Sequence, residues 1–181
     1  MLGPTGVGVL FIKKALHDII ESYRVGGGMV ENVTLSEAIW AHAPHKFEAG
    51  TPPIAQVIGL GTAIEYLQNT INFDDLRAHE AQLCSHLIDG LSQLSRVRLL
   101  GPIAQLKKKG HLVSFVVDGI HSHDVAAFLN SKGIAVRAGH HCAQPFALKM
   151  NYDATIRVSF YFYNTIEEVD FIIAMIKQLL Q

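Results

Sequence analysis

The chain has 181 residues, of which 49% are hydrophobic and 17% charged, a balance typical of a compact globular protein. Its formal net charge of −1 gives no general attraction to nucleic acid or to an acidic membrane surface. No apolar run approaches the roughly 18 residues of a membrane span, and the first residues form no basic-then-apolar signal peptide. The two cysteines show no pairing pattern, which favours a reducing compartment and predicts a cytoplasmic protein.

Local patterns in the first third of the chain predict one strand and one long helix. Residues 7–12 are a continuous apolar, β-branched run, which predicts a buried strand. Three glycines at residues 26–28 predict a break in regular structure. The Pro-Pro pair at 52–53 predicts a helix start, because proline is tolerated in the first helical turn. Within that helix, Gly59 and Gly61 indicate close packing against a neighbour.

A second helix is predicted after Asn72, whose side chain can cap free amides while Asp75 faces the helix dipole. Its apolar positions recur at helical spacing. They are Leu76, Leu83, Leu87, Leu91 and Leu94. Cys84 borders this stripe and is predicted to pack in the core, since free cysteines are among the most buried residues.

The rest of the chain alternates strand and helix signals. Strands are predicted at residues 97–100, 112–117, 134–136 and 155–160, and helices at 123–132 and 166–180. Ser122 is the predicted cap of the first of these helices and Gly133 its terminator. Thr165 and Glu168 form a predicted capping box for the other. The run Lys107-Lys108-Lys109 is interpreted as a solvated loop tip. This order predicts an α+β layer with helices over a small sheet.

The most informative segment is RAGHHCAQP at residues 137–145, predicted to be a loop that follows a buried strand. Thiol reactivity requires an electropositive, partly exposed setting, and Arg137, His140 and His141 can supply such charge to Cys142. The pattern therefore favours a reactive Cys142. The alternative is a loop cysteine that packs as a small hydrophobe. No metal is predicted, because three consecutive residues cannot easily surround one ion and no metal-binding spacing occurs.

Arg157 lies in a predicted strand among apolar neighbours. A buried charge is costly when it is unpaired, so this arginine predicts an anionic partner. The alternative is that strand alternation simply directs its side chain into solvent.

Several of these segments resemble one enzyme family. The loop at 137–145 resembles the active-site loop of SufS-type cysteine desulfurases, the second group of NifS-like enzymes within the class V aminotransferases. Residues 3–10 (GPTGVGVL) resemble the segment that follows the family's cofactor lysine, and 47–52 (FEAGTP) resemble a family signature. Residues 156–159 (IRVS) and 163–165 (YNT) resemble the C-terminal stretch with the substrate-carboxylate arginine. The chain thus resembles the C-terminal half of such an enzyme.

The resemblance implies an α/β protein of the pyridoxal phosphate (PLP)-dependent transferase fold type I. Residues 1–70 would be the end of the large PLP domain and the start of the connecting helix. Residues 71–181 would be the small C-terminal α+β domain that carries the active-site cysteine. By alignment, the lysine that holds pyridoxal 5'-phosphate in the family falls immediately before Met1. We therefore expect this chain alone to be inactive as a desulfurase.

The resemblance also implies roles for individual residues. Cys142 would take sulfur from L-cysteine as a persulfide and release L-alanine. His140 and His141 would tune the thiol or move protons, and the alternative is that they only shape the loop. Arg157 would hold the substrate carboxylate, and Arg137 would pair structurally or line the pocket.

For the first part of the chain, the resemblance implies that Thr51 contacts the PLP phosphate of the other subunit in a homodimer, although the same position also suits a plain helix cap. The parent enzyme would deliver sulfur to a SufE- or SufU-type acceptor for iron–sulfur cluster assembly. Two alternatives remain open. The chain is a non-catalytic dimerisation or sulfur-carrier module, or it is one half of a split enzyme.

Overall fold

The computed structural model describes residues 2–181. The chain divides between Ile71 and Asn72 into two compact units. The first unit contains 3₁₀ turns at Lys14–Leu16 and His45–Phe47, strands β1 (Val30–Val33) and β2 (Ala38–Trp40), and helix α1 (Ile54–Thr70). Strands β1 and β2 pair antiparallel as a two-stranded ribbon.

Helix α1 begins at Ile54, directly after the two prolines, with Pro53 at the N-cap. The predicted helix start is therefore confirmed to within two residues. A Cβ added at Gly59 would lie 3.2 Å from Cγ of Pro4, which confirms the close approach predicted there. At Gly61 the same test finds no atom within 4 Å, so the packing role predicted for that glycine is wrong.

The strand predicted at residues 7–12 is wrong. No part of this segment is in a strand, and the side chains of Val9, Leu10 and Phe11 are 81%, 82% and 83% exposed. A buried strand needs neighbouring strands for its backbone groups and an apolar layer for its side chains. Among residues 2–181 this segment has neither. The first unit has only two buried apolar side chains in the described chain, Met29 and Leu67.

The second unit is a mixed α+β structure, as predicted. Its elements are α2 (Phe73–Ser92), β3 (Val97–Leu100), α3 (Ile103–Lys109), β4 (Leu112–Val117), α4 (Ser122–Ser131), β5 (Arg137–Gly139), α5 (Gln144–Lys149), β6 (Thr155–Ser159) and α6 (Ile166–Leu179). The four strands form an antiparallel sheet in the order β3-β4-β6-β5. Helix α6 contacts α2 and α4, and both of those helices contact the sheet.

Helix α2 confirms the predicted cap and stripe. The Asn72 side chain accepts hydrogen bonds from the amides of Asp74 and Asp75 at 2.9 and 3.4 Å. The predicted leucines are buried except Leu94, which is partly buried. Full burial of one such leucine contributes about 1.5–3 kcal/mol. Cys84 is fully buried within the same cluster, so its predicted packing role is confirmed.

The start of α4 differs from the prediction by one residue. The cap is His121, whose side chain accepts a hydrogen bond from the amide of His123 at 3.3 Å. The predicted Ser122 cap is wrong because its buried hydroxyl donates instead to the carbonyl of Ala154 at 2.9 Å. This bond ties α4 to the segment before β6.

The end of α4 agrees with the prediction, but the strand after it begins later. Gly133 has φ +79° and terminates the helix, with its own amide and the next one bonding back to carbonyls in the last turn. The strand predicted at 134–136 is wrong, since regular pairing starts only at β5. Residues 133–136 and 158–160 line a cavity of about 290 Å³, and the pairing with β6 covers only Arg137–Gly139.

Two short helices were not predicted, and one of them corrects the interpretation of the lysine run. Lys107, Lys108 and Lys109 form the last turn of α3 rather than a loop tip. Cations are favourable near a helix C-terminus, and Lys107 also forms an ion pair with Asp89 of α2. The helix ends at Gly110, which lies close against Cys84.

Helix α6 has the predicted capping box. The amide of Glu168 donates to the hydroxyl of Thr165, and the amide of Thr165 donates to the Glu168 carboxylate. Within residues 2–181 no helix combines the length and the apolar content needed to cross a bilayer.

Candidate active site

Strands β5 and β6 place two arginines opposite each other. Arg137 is the direct register partner of Arg157, and Gly139 is the partner of Thr155. Side chains of direct cross-strand partners project from the same face of a sheet, and like charges at such positions are destabilising. This pair of guanidinium groups therefore favours an anion close to both.

The loop after β5 has an unusual backbone. His141 and Cys142 both adopt left-handed conformations, with φ of 53° and 61°. Such conformations cost roughly 1–2 kcal/mol for residues other than glycine, and strain of this kind clusters at functional sites. The amide of Ala143 donates to the carbonyl of His140 at 2.9 Å and closes the turn. Helix α5 follows at once with Pro145 in its first turn, so the predicted loop is shorter than expected.

Cys142 is the exposed cysteine of the two. Its sulfur accepts a long hydrogen bond from Nη2 of Arg137 at 3.8 Å. A guanidinium group can donate a hydrogen bond to this sulfur, and the thiolate is the nucleophilic form of a cysteine. The structure thus brings Arg137 and Cys142 together. The reactivity of the Cys142 thiol stays a prediction.

Cys84 is unsuited to the same role. Burial raises the pKa of its thiol to about 11, although a backbone hydrogen bond at Leu112 acts in the opposite direction. At neutral pH this thiol is therefore protonated and shielded from solvent.

Among residues 2–181, three buried side-chain nitrogens lack a partner, and all belong to the residues around this loop. They are Nδ1 and Nε2 of His141 and Nε of Arg157. Leaving a buried polar atom unpaired costs about 1–3 kcal/mol, so native structures rarely do so without a reason. An anionic ligand with acceptor oxygens would satisfy the guanidinium nitrogen.

His141 is held in its neutral form. Burial lowers its pKa, and the positive charges of Arg157, Arg137 and His140 lower it further, whereas its approach to the Thr155 backbone acts the other way. A neutral imidazole offers one donor and one acceptor. His140, which is partly buried, contributes the backbone carbonyl that closes the turn.

Thr51 belongs to the first unit. It is exposed and precedes the two prolines at the start of α1. No side chain caps this helix, so the interpretation of Thr51 as a plain helix cap is wrong. An exposed hydroxyl near the uncapped N-terminus of a 17-residue helix fits a phosphate group, because free amides and the helix dipole both favour anions there. Gly50 beside it adopts φ +84°.

Sequence reasoning missed two features of the site. Helix α5 was not predicted, although proline is common in a first helical turn and Pro145 was the available signal. The direct opposition of Arg137 and Arg157 depends on strand register, which no local pattern reveals.

Comparisons with known proteins agree on one family. The family model for aminotransferase class-V matches residues 1–172. "Probable cysteine desulfurase 2" of Mycobacterium leprae (strain TN) is 44% identical over 174 residues, which cover 96% of this chain and 41% of that protein. The chain spans about two fifths of the length of the curated relatives it matches.

Solved structures give the same result. The apo structure of a cysteine desulfurase from Thermococcus onnurineus NA1 matches with a TM-score of 0.92 and 41% identity, over 98% of this chain and 44% of that one. A mutant of C-DES with glycine covalently linked to its PLP cofactor matches with a TM-score of 0.75 and 26% identity, over 95% of this chain and 42% of that one. These likenesses confirm the predicted α/β fold class.

Proposed function

Since this chain belongs to the class V aminotransferase family, we propose that it is the cysteine-bearing part of a cysteine desulfurase. One observation carries this proposal. The exposed Cys142 contacts Arg137, and the unpartnered nitrogens of Arg157 and His141 lie around the same loop. A candidate nucleophile and side chains able to bind an anion thus occur together.

In the proposed reaction the Cys142 thiolate attacks the sulfur of bound L-cysteine. An S–S bond forms to Cys142, and the carbon–sulfur bond of the substrate breaks with its electron pair remaining on carbon. That carbon takes a proton and leaves as L-alanine, so the enzyme retains a persulfide. A thiolate suits this step because it is far more nucleophilic than a hydroxyl group at neutral pH.

The surrounding side chains would bind and orient the reactants. Arg157 would hold the substrate carboxylate through two parallel hydrogen bonds. One of these bonds would give its buried Nε a hydrogen-bond acceptor. Arg137 would steady the thiolate through the contact it already makes. His141, whose neutral ring keeps one nitrogen as an acceptor, would take a hydrogen bond or a proton. His140 would shape the loop or assist His141 in proton transfer.

The first unit would contribute to cofactor binding. Thr51 and the free amides of α1 fit a phosphate, and we assign them to the PLP phosphate of a partner subunit in a homodimer. When bound, PLP supplies the electron sink for the substrate carbon. Because the chain spans about two fifths of its relatives, we propose that activity needs the remaining portion, in the same polypeptide or in a second one.

We further propose the SufS type for this chain, on the strength of the segment RAGHHCAQP. The persulfide would then pass to a SufE- or SufU-type acceptor in the cytoplasm and supply iron–sulfur cluster assembly.

A chimera tests the reaction. It joins the portion of the Thermococcus onnurineus enzyme without a counterpart here to the whole of this chain. With PLP and a reductant we expect alanine from L-cysteine, and loss of alanine with Cys142→Ala. The matched control is Cys84→Ala, which removes the buried thiol and should preserve activity. Equal alanine formation by the Cys142→Ala chimera would refute the nucleophile assignment.

The second candidate is a sulfur-carrier module. The compact 72–181 unit with its own core favours it, since this unit alone presents Cys142. The chimera with added PLP separates the two candidates. A carrier accepts and donates sulfur at Cys142, but its chimera releases no alanine.

A further inference from the structure

Thr155, the first residue of β6, is buried on the face of the sheet opposite the hydrophobic core. Successive side chains of a strand point to opposite faces. Ile156 and Val158 belong to the core of the second unit, so Thr155 and Arg157 lie on the other face. On that face Ser159 is exposed and Arg157 is half-buried, whereas Thr155 is only 8% exposed. A polar side chain that is buried outside the core needs a specific contact to explain it.

Thr155 makes this contact with the loop that holds Cys142. Its hydroxyl donates a long hydrogen bond of 3.5 Å to the carbonyl of Gly139. The two residues are also direct partners in the pairing of β5 with β6. The backbone of Thr155 approaches the ring of His141 as well. Thr155 therefore contacts the loop both before and after His140.

The loop requires such contacts because part of its backbone is strained. His141 and Cys142 are both left-handed, with φ of 53° and 61°. Residues in such conformations keep them only where the surrounding structure holds them in place. The pair of Gly139 and Thr155 is the last one of the β5–β6 ladder before these two residues. A restraint at that pair therefore acts directly on the strained turn.

The same strand carries the arginine that we assign to the substrate carboxylate. Thr155 and Arg157 are two residues apart on one face of β6, so their Cα atoms are separated by about 7 Å. Thr155 contacts the loop of the candidate nucleophile, and the buried Nε of Arg157 is free to bind an anion. The fixed rise along one strand thus relates the position of the thiol loop to the position of the anion site.

We propose that Thr155 is a positioning residue that holds the Cys142 loop at a fixed distance from Arg157. The inference rests on the proposed function, in which the thiolate attacks the sulfur of a substrate whose carboxylate is bound by Arg157. The Thr155 hydroxyl takes no part in the bond changes. It restrains the carbonyl of Gly139 and, through it, the turn that carries the thiol. A misplacement of about 1 Å lowers a rate by roughly a hundredfold, so this restraint acts on the chemical step.

Thr155→Val in the chimera tests this role, because valine keeps the branched shape and removes the hydroxyl. We expect kcat for alanine formation to fall at least about tenfold. The KM for L-cysteine should stay the same, since Arg157 is unchanged. Thr155→Ser restores a hydroxyl and should recover most of the lost kcat. The matched control is Ser122→Ala, which removes a second buried hydroxyl, one that donates to Ala154, and should keep the wild-type kcat.

Amide hydrogen exchange in the same chimera, without substrate, gives a readout that does not depend on activity. The amide of Ala143 closes the turn with the carbonyl of His140, so peptides from residues 137–150 report on the loop. In Thr155→Val we expect exchange in these peptides to be about tenfold faster, because local opening determines the exchange rate. Peptides from β4 should exchange at the wild-type rate, which shows that the second unit remains folded.

Three results would overturn the positioning role. The first is wild-type exchange of the loop peptides in Thr155→Val, whatever its kcat. The second is a rise in KM with an unchanged kcat, which would assign Thr155 to substrate binding. The third is an equal loss of kcat in Ser122→Ala with faster exchange of β4 in both variants, which would indicate a general loosening of the unit.

Failure of the proposed function would be distinguishable from failure of this inference. A chimera with unmodified Thr155 that releases no alanine counts against the desulfurase assignment. The exchange comparison still decides whether the Thr155 hydroxyl holds the loop, because it requires neither turnover nor substrate.

Discussion

Arg137 and Arg157 are direct partners in the antiparallel pairing of β5 with β6, yet they have different environments. Arg137 is exposed and donates to the sulfur of Cys142, whereas Nε of Arg157 is buried without a partner. The two guanidinium groups therefore suit different tasks, one at the nucleophile and one at a bound anion.

Arg157→Lys in the chimera should raise the KM for L-cysteine at least about tenfold, because an ammonium group cannot form the two parallel hydrogen bonds of a guanidinium group. Steady-state alanine formation measures it. The matched control is Arg98→Lys, at an exposed arginine paired with Asp118, which should keep the wild-type KM. An unchanged KM in Arg157→Lys would exclude a bidentate carboxylate contact.

The two thiols should differ sharply in accessibility. In the native chain, iodoacetamide should modify Cys142 alone, because Cys84 is buried and its pKa is raised to about 11. In denaturant both should react. Mass spectrometry of the labelled peptides counts the modified sites. Rapid native labelling of Cys84 would show that the core around α2 opens readily.

Stability should fall as the pH is lowered, through His141. An unfolded histidine has a pKa of about 6.5, and the folded pKa of His141 lies below its ordinary value because of burial and nearby positive charge. Between these two values the unfolded chain binds more protons, so the free energy of unfolding rises with pH. This contribution is complete above the unfolded pKa and is lost as the pH falls through that window.

Urea titrations at pH 7.5, 6.5 and 5.5 measure the effect. His141→Gln should reduce the pH dependence, whereas His45→Gln, at an exposed histidine of the first unit, should retain the wild-type slope. Identical slopes in the wild type and His141→Gln would contradict a buried neutral imidazole.

Gly110→Ala should destabilise the second unit by about 1–3 kcal/mol. An added Cβ would lie 2.5 Å from the backbone oxygen of Leu106 and 2.7 Å from the sulfur of Cys84, and neither neighbour has room to move. Gly61→Ala is the control, since no atom lies within 4 Å of its added Cβ and alanine favours a helix interior by roughly 1 kcal/mol. Thermal unfolding of both variants provides the comparison. Equal transition temperatures for Gly110→Ala and the wild type would mean that α3 shifts freely.

Features that depend on a few adjacent residues could be predicted from the sequence. The Asn72 cap, the Thr165–Glu168 capping box and the terminator Gly133 all follow from hydrogen bonds within one helical turn. The apolar stripe of α2 could also be predicted, because helical spacing alone determines which side chains share a face. The cysteine loop was found in the same way, from residue types that favour a reactive thiol.

Features that depend on distant partners were decided by the tertiary structure. Residues 7–12 have strand composition, but a strand requires a neighbour to accept its backbone hydrogen bonds, and this segment has none in the described chain. Residues 134–136 likewise lie beside a cavity instead of a ladder. The sequence by itself determined that Cys142 lies in one short segment with Arg137, His140 and His141. Only the register of β5 with β6 decided that Arg137 is opposite Arg157, because antiparallel pairing joins residues that are far apart in the chain.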